Sequence, residues 1–185
     1  MNPTCPARPE EVLQFWFEDL TPADWWRKEP ALDRKITALF APTLAAAARC
    51  ELFRWRVTAA GRLAEVIVLD QFTRNIHRDT AAAFANDALA LALAQEAVAQ
   101  GSDRELPVPH RVFLYLPWMH SESRSIHEAA LRLSAQPGLA HNLEFERQHK
   151  AIIDRFGRYP HRNAALGRAS TPEELAFLRE PGSAF

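Results

Sequence analysis

"ALALALAQEAVAQ", residues 88–100, reads in two ways. Alanine and leucine alternate over its first half, which is the period of a half-buried strand. Yet it runs thirteen residues without a glycine or proline, and alanine is the strongest helix former. Length and alanine content decide for helix. Asn86 or Asp87 supplies the cap and Gly101 the end. With this stretch helical, no segment of the chain retains an alternating pattern bounded by hairpin signals, and the expected class is all-α.

The neighbouring string "GRLAEVIVLDQF", residues 61–72, is apolar around most of its girth. That predicts a central, buried helix beginning near Thr58. Pro9 opens a first helix carrying Val12, Leu13, Trp16 and Leu20 at helical spacing, and Trp25 and Trp26 are expected core anchors. A helix from about Ala31 should kink or divide at Pro42, and the helix containing "RVFLYL" should stop or bend at Pro117. Capping-box spacing at Ser125–Glu128 predicts a helix over 126–135, and Thr171–Glu174 predicts a short last one. Between them, residues 139–156 form a long helix with Gly157 as its cap. Short connections favour antiparallel helix pairs. No interior linker divides the chain, so residues 1–185 are expected to form a single helical domain.

The 48% hydrophobic and 24% charged residues are an ordinary globular balance. A net charge of -1 gives no overall field for nucleic acid. Apolar stretches fall short of the ~20 residues a membrane span needs. Two cysteines and a start without an apolar signal core suit the cytoplasm.

Four stretches carry concentrated polarity. In "LDQFTRN", 69–75, Asp70 and Arg74 fall four apart on an apolar stripe. They form either a structural ion pair or, with Asn75 and Arg78, a ligand clamp. In "LPWMHSES", 116–123, His120 and Glu122 follow the break at Pro117 and have the makings of an acid–base pair beside Trp118. On the helix "HNLEFERQHKAIIDRF", Phe145, His149, Ile152 and Phe156 share a stripe, so His149 is a core histidine or a rigidly held site residue. In "RFGRYPHRN", 155–163, Arg155 is explained by the helix dipole and Gly157, Pro160 and Asn163 by turn geometry. Arg158, His161 and Arg162 remain, with Tyr159 among them. Arginine forks suit phosphate or carboxylate.

The strings "LDQFTRNIHRDTAAAFANDALAL", "LYLPWMHSE", "RFGRYPHRNAALGRASTPEELAFLREPGSAF" and "VLQFWFEDLTPADWW" resemble, in order and nearly end to end, the bacterial DUF924 family. The resemblance implies a TPR-like helical superhelix and brings no activity or catalytic residue with it. Thr73 stands where the family pattern has proline and His77 where it has an aromatic.

Three functional readings follow. One is a helical module binding a peptide or small phosphate- or carboxylate-bearing ligand through Asp70, Arg74, Asn75, Arg78, Trp118, His149, Arg155, Arg158, Tyr159, Arg162 and Asn163. A second is a hydrolase or transferase using His120, Glu122 and His161 for acid–base chemistry on an anionic metabolite. A third is a structural or protein-interaction scaffold. No cofactor motif, metal spacing or nucleophile elbow is visible. Arginines that each face an internal carboxylate would favour the scaffold.

Overall fold

The computed structural model describes residues 5–183. Helices and turns account for the ordered elements among them, and no strand occurs. The backbone gathers into two compact units. The first comprises residues up to 78 together with 82–117; the second comprises 79–81 and the residues from 118 onward.

In the first unit, helix α1, Pro9–Gln14, runs into a wide π-type turn over Phe15–Asp19. Helix α2, Pro30–Ala48, passes through Pro42 without dividing. Proline removes one ladder hydrogen bond. The flanking Phe40, Thr43, Leu44, Ala46 and Ala47 are all buried, and that packing outweighs the loss. Thr43 adds a tether, its hydroxyl oxygen accepting from the Ala7 N–H at 2.8 Å.

Helix α3, Ala59–Ile67, starts where the Thr58 hydroxyl accepts from the Gly61 N–H. Gly61 has no substitute here, because a Cβ would collide with the Trp55 carbonyl. A second π-type turn, Val68–Phe72, leads into the short helix α4, Thr73–Ile76. Residues 63–73 form one unbroken buried run, as an all-round apolar helix requires.

Helix α5, Asp87–Ala99, is the ambiguous alternating string. It buries Ala90, Ala94 and Ala97, a small-residue face packed on α3, while its leucines are only part-buried. The Phe15, Phe40 and Phe72 rings pack with centroids 4.6 to 6.1 Å apart, and Trp16 meets Phe72 and Phe113 edge-on. Trp25 donates its indole N–H to the Trp16 carbonyl. Trp26, expected as an anchor, is instead 63% exposed and stacks over Phe113.

Helix α6, Val108–Met119, continues two residues past Pro117 before it ends. In the second unit, α7, Arg124–Ser134, and α8, Ala140–Phe156, form an antiparallel pair. Arg124 donates to the Asp154 carbonyl and Lys150 pairs with Glu128, so partners on α8 step backward as α7 advances. Gly157 closes α8 at φ 69°, a left-handed cap. Helix α9, Pro172–Phe177, starts with a full capping box between Thr171 and Glu174. Ile152, Ile153, Tyr159 and Phe177 make this unit's apolar core.

Candidate functional site

The polar residues of "LDQFTRN" stay within the first unit, and each meets a partner. Arg74 bridges Asp70 (3.1 Å) and Asp87 (3.0 Å). Asp70 is fully buried and also accepts from Gln71. Asn75 and Arg78 converge on Asp33, the arginine through both Nε (2.5 Å) and a terminal nitrogen (2.7 Å). Burial alone would raise Asp33, but Arg78 and Asn75 outweigh it and hold the carboxyl below the ordinary range. The sequence did not single out Asp33 and marked Asp87 only as a cap candidate, because their partners lie 45 and 13 residues away.

In the second unit the break after α6 folds against the cationic turn. The Glu122 carboxylate accepts from the Tyr159 N–H at 2.8 Å and from both terminal nitrogens of Arg168, at 2.7 and 2.9 Å. Tyr159 donates its hydroxyl to the Met119 carbonyl at 2.5 Å, and Arg162 donates to the His120 carbonyl at 2.9 Å. Burial works to raise Glu122, yet Arg168, the Tyr159 amide and Arg162 together keep it below the usual carboxylate range. An anion so held is an anchor rather than a proton donor. Arg158 forks onto Glu174 at 2.6 and 2.8 Å and also reaches the Ala169 carbonyl. Arg155 pairs with Glu173 and lies over the Phe156 and Phe177 rings. Asn163 does not cap its turn. It is buried, donates to Ser170 and Glu174 and accepts from Arg168.

Tyr159 is the hub of this unit, 1% exposed. The imidazoles of His127, His149 and His161 stand 6.3, 5.8 and 5.4 Å from its ring centre. The Arg162 guanidinium lies over the same ring at 4.7 Å. His149 donates Nδ1–H to the Phe145 carbonyl at 2.8 Å, since a carbonyl can only accept. The neutral ring is therefore fixed in the tautomer that leaves Nε2 as acceptor. Burial, against the raising effect of the Phe145 carbonyl bond and with smaller contributions from the neighbouring histidines, pushes His149 down to about 3. Trp118 is buried, and His120 and His161 are part-buried.

Two residues passed over in the sequence complete the cluster. Expected to line the stripe of α8, Phe145 is 40% exposed, and the buried position is its neighbour Glu146, with no exposed surface at all. Its Oε1 lies 2.6 Å from Nδ1 of His127 on α7, which is likewise fully buried. Burying a carboxyl needs a partner on another element, and the α8 sequence alone cannot show one. The capping-box spacing marked His127 only as a helix-start residue. Among the described residues no group of three or more His, Cys, Asp or Glu side chains is arranged to hold a metal ion. No helix among them is long and apolar enough to cross a membrane.

The comparisons agree with these strings. The family model for a bacterial protein of unknown function, DUF924, matches residues 12–182. The chain belongs to the DUF924 family. The chain is also similar to the solved structure of ATU0120, a protein of unknown function from Agrobacterium tumefaciens, at 38% identity and a TM-score of 0.88. That alignment covers 92% of this chain and 96% of the other. No curated protein matches the sequence.

Proposed function

We propose that this DUF924 protein binds a small anion, a carboxylate or phosphate group, at the histidine–arginine cluster around Tyr159. The observation that carries this reading is the crowding of three imidazoles and one guanidinium around a single buried ring. Arg162 donates to the His120 carbonyl, lies over the Tyr159 face and helps keep Glu122 ionised, and a guanidinium fixed in this way suits an oxyanion. His149 is kept neutral by burial and by its neighbours. A negative charge among these rings would reverse that balance and draw a proton onto the cluster. Arg158, Arg155, Glu122 and Asn163 then act as positioning residues that hold the turn carrying Arg162 and His161. Asp70, Arg74, Asn75 and Arg78 serve their own unit's framework.

A second reading has its own support. The arginines at 74, 78, 155 and 158 each meet a carboxylate, which favours a scaffold with no ligand. Acid–base catalysis by Glu122 has less support, because that carboxylate is fixed in its ionised form.

Thermal stabilisation by inorganic phosphate and by succinate separates the readings, with chloride at matched ionic strength as the blank. Anion binding predicts a concentration-dependent rise in Tm for wild type and for Arg158→Gln, and its loss in Arg162→Gln. Equal responses of the two variants, or no rise above chloride in wild type, would favour the scaffold.

A further inference from the structure

The deepest titratable group of the second unit is the His127–Glu146 pair, and its hydrogen-bond geometry fixes how many protons it holds. His127 Nε2 lies 2.8 Å from the Ser121 carbonyl and 3.3 Å from the Tyr159 hydroxyl oxygen. The carbonyl only accepts, and the hydroxyl spends its proton on Met119, so Nε2 must carry hydrogen. The other ring nitrogen faces Glu146 Oε1 at 2.6 Å, a distance that two lone pairs cannot share. One proton therefore lies between them. A second proton on the carboxyl would have to sit on Oε2, which is buried and has no hydrogen-bond partner among the described residues. A partnerless oxygen is tolerable on a neutral acid and costly on a carboxylate, so the shared proton favours the Glu146 side.

We propose that His127 and Glu146 form a proton-linked latch that closes the α7–α8 pair onto the Ser121 carbonyl and Tyr159, retaining one shared proton and no net charge across a wide pH range. It operates whether or not an anion binds nearby.

The consequence is a bell. In an unfolded chain histidine titrates near 6.5 and glutamate near 4.5. Between these values the unfolded residues are imidazolium and carboxylate, with the same proton count as the latch, and folding is pH-independent at this site. Above 6.5 the unfolded histidine has lost its proton while the latch keeps one, so stability falls as pH rises. Below 4.5 the unfolded glutamate gains a proton that the latch has no place for, so stability falls as pH drops. Each limb changes the folding constant by up to about tenfold per pH unit, one proton's worth. The upward shift that burial gives Glu146 agrees with this proton count.

Other charged and titratable groups lie around the pair. Lys150, on the same helix, and Glu128 of α7 pair with each other. His149, with His120 and His161 about it, gives up stability as pH falls below 6.5, because its folded value is depressed. Tyr159 and Arg162, from the turn, do not titrate in this range. Comparison with Glu146→Gln therefore isolates the latch's own share of the alkaline limb.

The test is the folding free energy of the full chain from pH 4 to 9, by denaturant titration, for wild type and Glu146→Gln. Glutamine supplies an N–H to Nδ1 without a titratable proton. The latch predicts an alkaline limb above pH 6.5 in wild type that disappears in the variant, whose own acid loss then begins near 6.5 instead of 4.5. A wild-type profile flat above 6.5, or a limb unchanged in the variant, would overturn it. Should Glu146→Gln not fold, nitrogen-15 NMR of the wild-type histidine ring decides: the latch requires hydrogen on Nε2 from pH 5 to 8, and an unprotonated Nε2 refutes it.

Discussion

Both units pair buried carboxylates with guanidinium groups, and the second adds another means of neutralising buried charge. In the first, buried or nearly buried carboxylates face guanidinium groups: Glu65 opposite Arg56, Asp70 and Asp87 around Arg74, Asp33 opposite Arg78. Arginine holds its proton at every accessible pH, so these contacts are permanent. The second unit has such a pair too, Glu174 with Arg158, but its fully buried Glu146 is matched to the imidazole of His127, and a further histidine, His149, lies buried in the same unit. Neutrality there depends on where a proton sits. The first arrangement is permanent, and the proposed latch would make the second respond to pH.

The sharpest way to break this contrast is Arg56→Ala. It leaves Glu65, 1% exposed, without its forked partner at 2.7 Å. The expected loss is about 3 kcal/mol in denaturant unfolding, the low end for breaking a buried pair, because Arg56 reaches solvent. Replacing both residues, as Arg56→Met with Glu65→Leu, should recover most of it. A double variant no better than the single one would show that the pair does more than hold structure.

Glu122→Gln probes an anchor in the second unit. It keeps the shape but weakens two bonds from Arg168 and one from the Tyr159 amide, with an expected cost of roughly 1–3 kcal/mol by thermal unfolding. A loss below about 0.5 kcal/mol would make Glu122 a surface residue in energetic terms and free it for chemistry.

A smaller effect is confined to pH. Glu174 is drawn down to about 2, first by Arg158 and then, against its burial, by Thr171 and Asn163. Its folded value is depressed, so its stabilisation is complete above 4.5 and is lost as pH falls toward about 2. Glu174→Gln should flatten the stability profile in that window and leave the region above pH 6 unchanged in shape. Smallest of all is Trp26→Ala. The ring is 63% exposed, and the change should cost no more than about 1 kcal/mol, the value of one ring stack.

Much of this was legible in the sequence, for reasons that can be traced residue by residue. Helix starts and stops carry local chemistry, so Thr58, Thr171 and Gly157 mark their boundaries without help from the rest of the chain. The run 63–73 declares its burial by being apolar around most of its girth, though its buried Glu65, Asp70 and Gln71 do not show as such. Pro42 does not divide its helix, because its cost is local while the packing that offsets it is not. The two π-type turns left no signal, since an added residue per turn changes register without changing composition. For the candidate site, the strings around His120 and Arg158 meet in the second unit, where Tyr159 donates to Glu122 and Arg162 to the His120 carbonyl. Their partners did not show, because Asp33, Glu146 and Arg168 act across 19 to 46 residues. A buried glutamate on an otherwise polar helix face looks like any solvated one until its histidine is placed.

The contrast between the units rests on the proton balance at Tyr159, and His149 reports it directly. Its ring resonances in the wild-type protein should be followed by NMR from pH 8 to pH 4, with and without inorganic phosphate. Without phosphate the account predicts a neutral ring with hydrogen on Nδ1 through the whole range, consistent with a value near 3. With phosphate it predicts a proton taken up at clearly higher pH. A ring that titrates near 6.5 in the absence of phosphate, or one that phosphate leaves untouched, would contradict it.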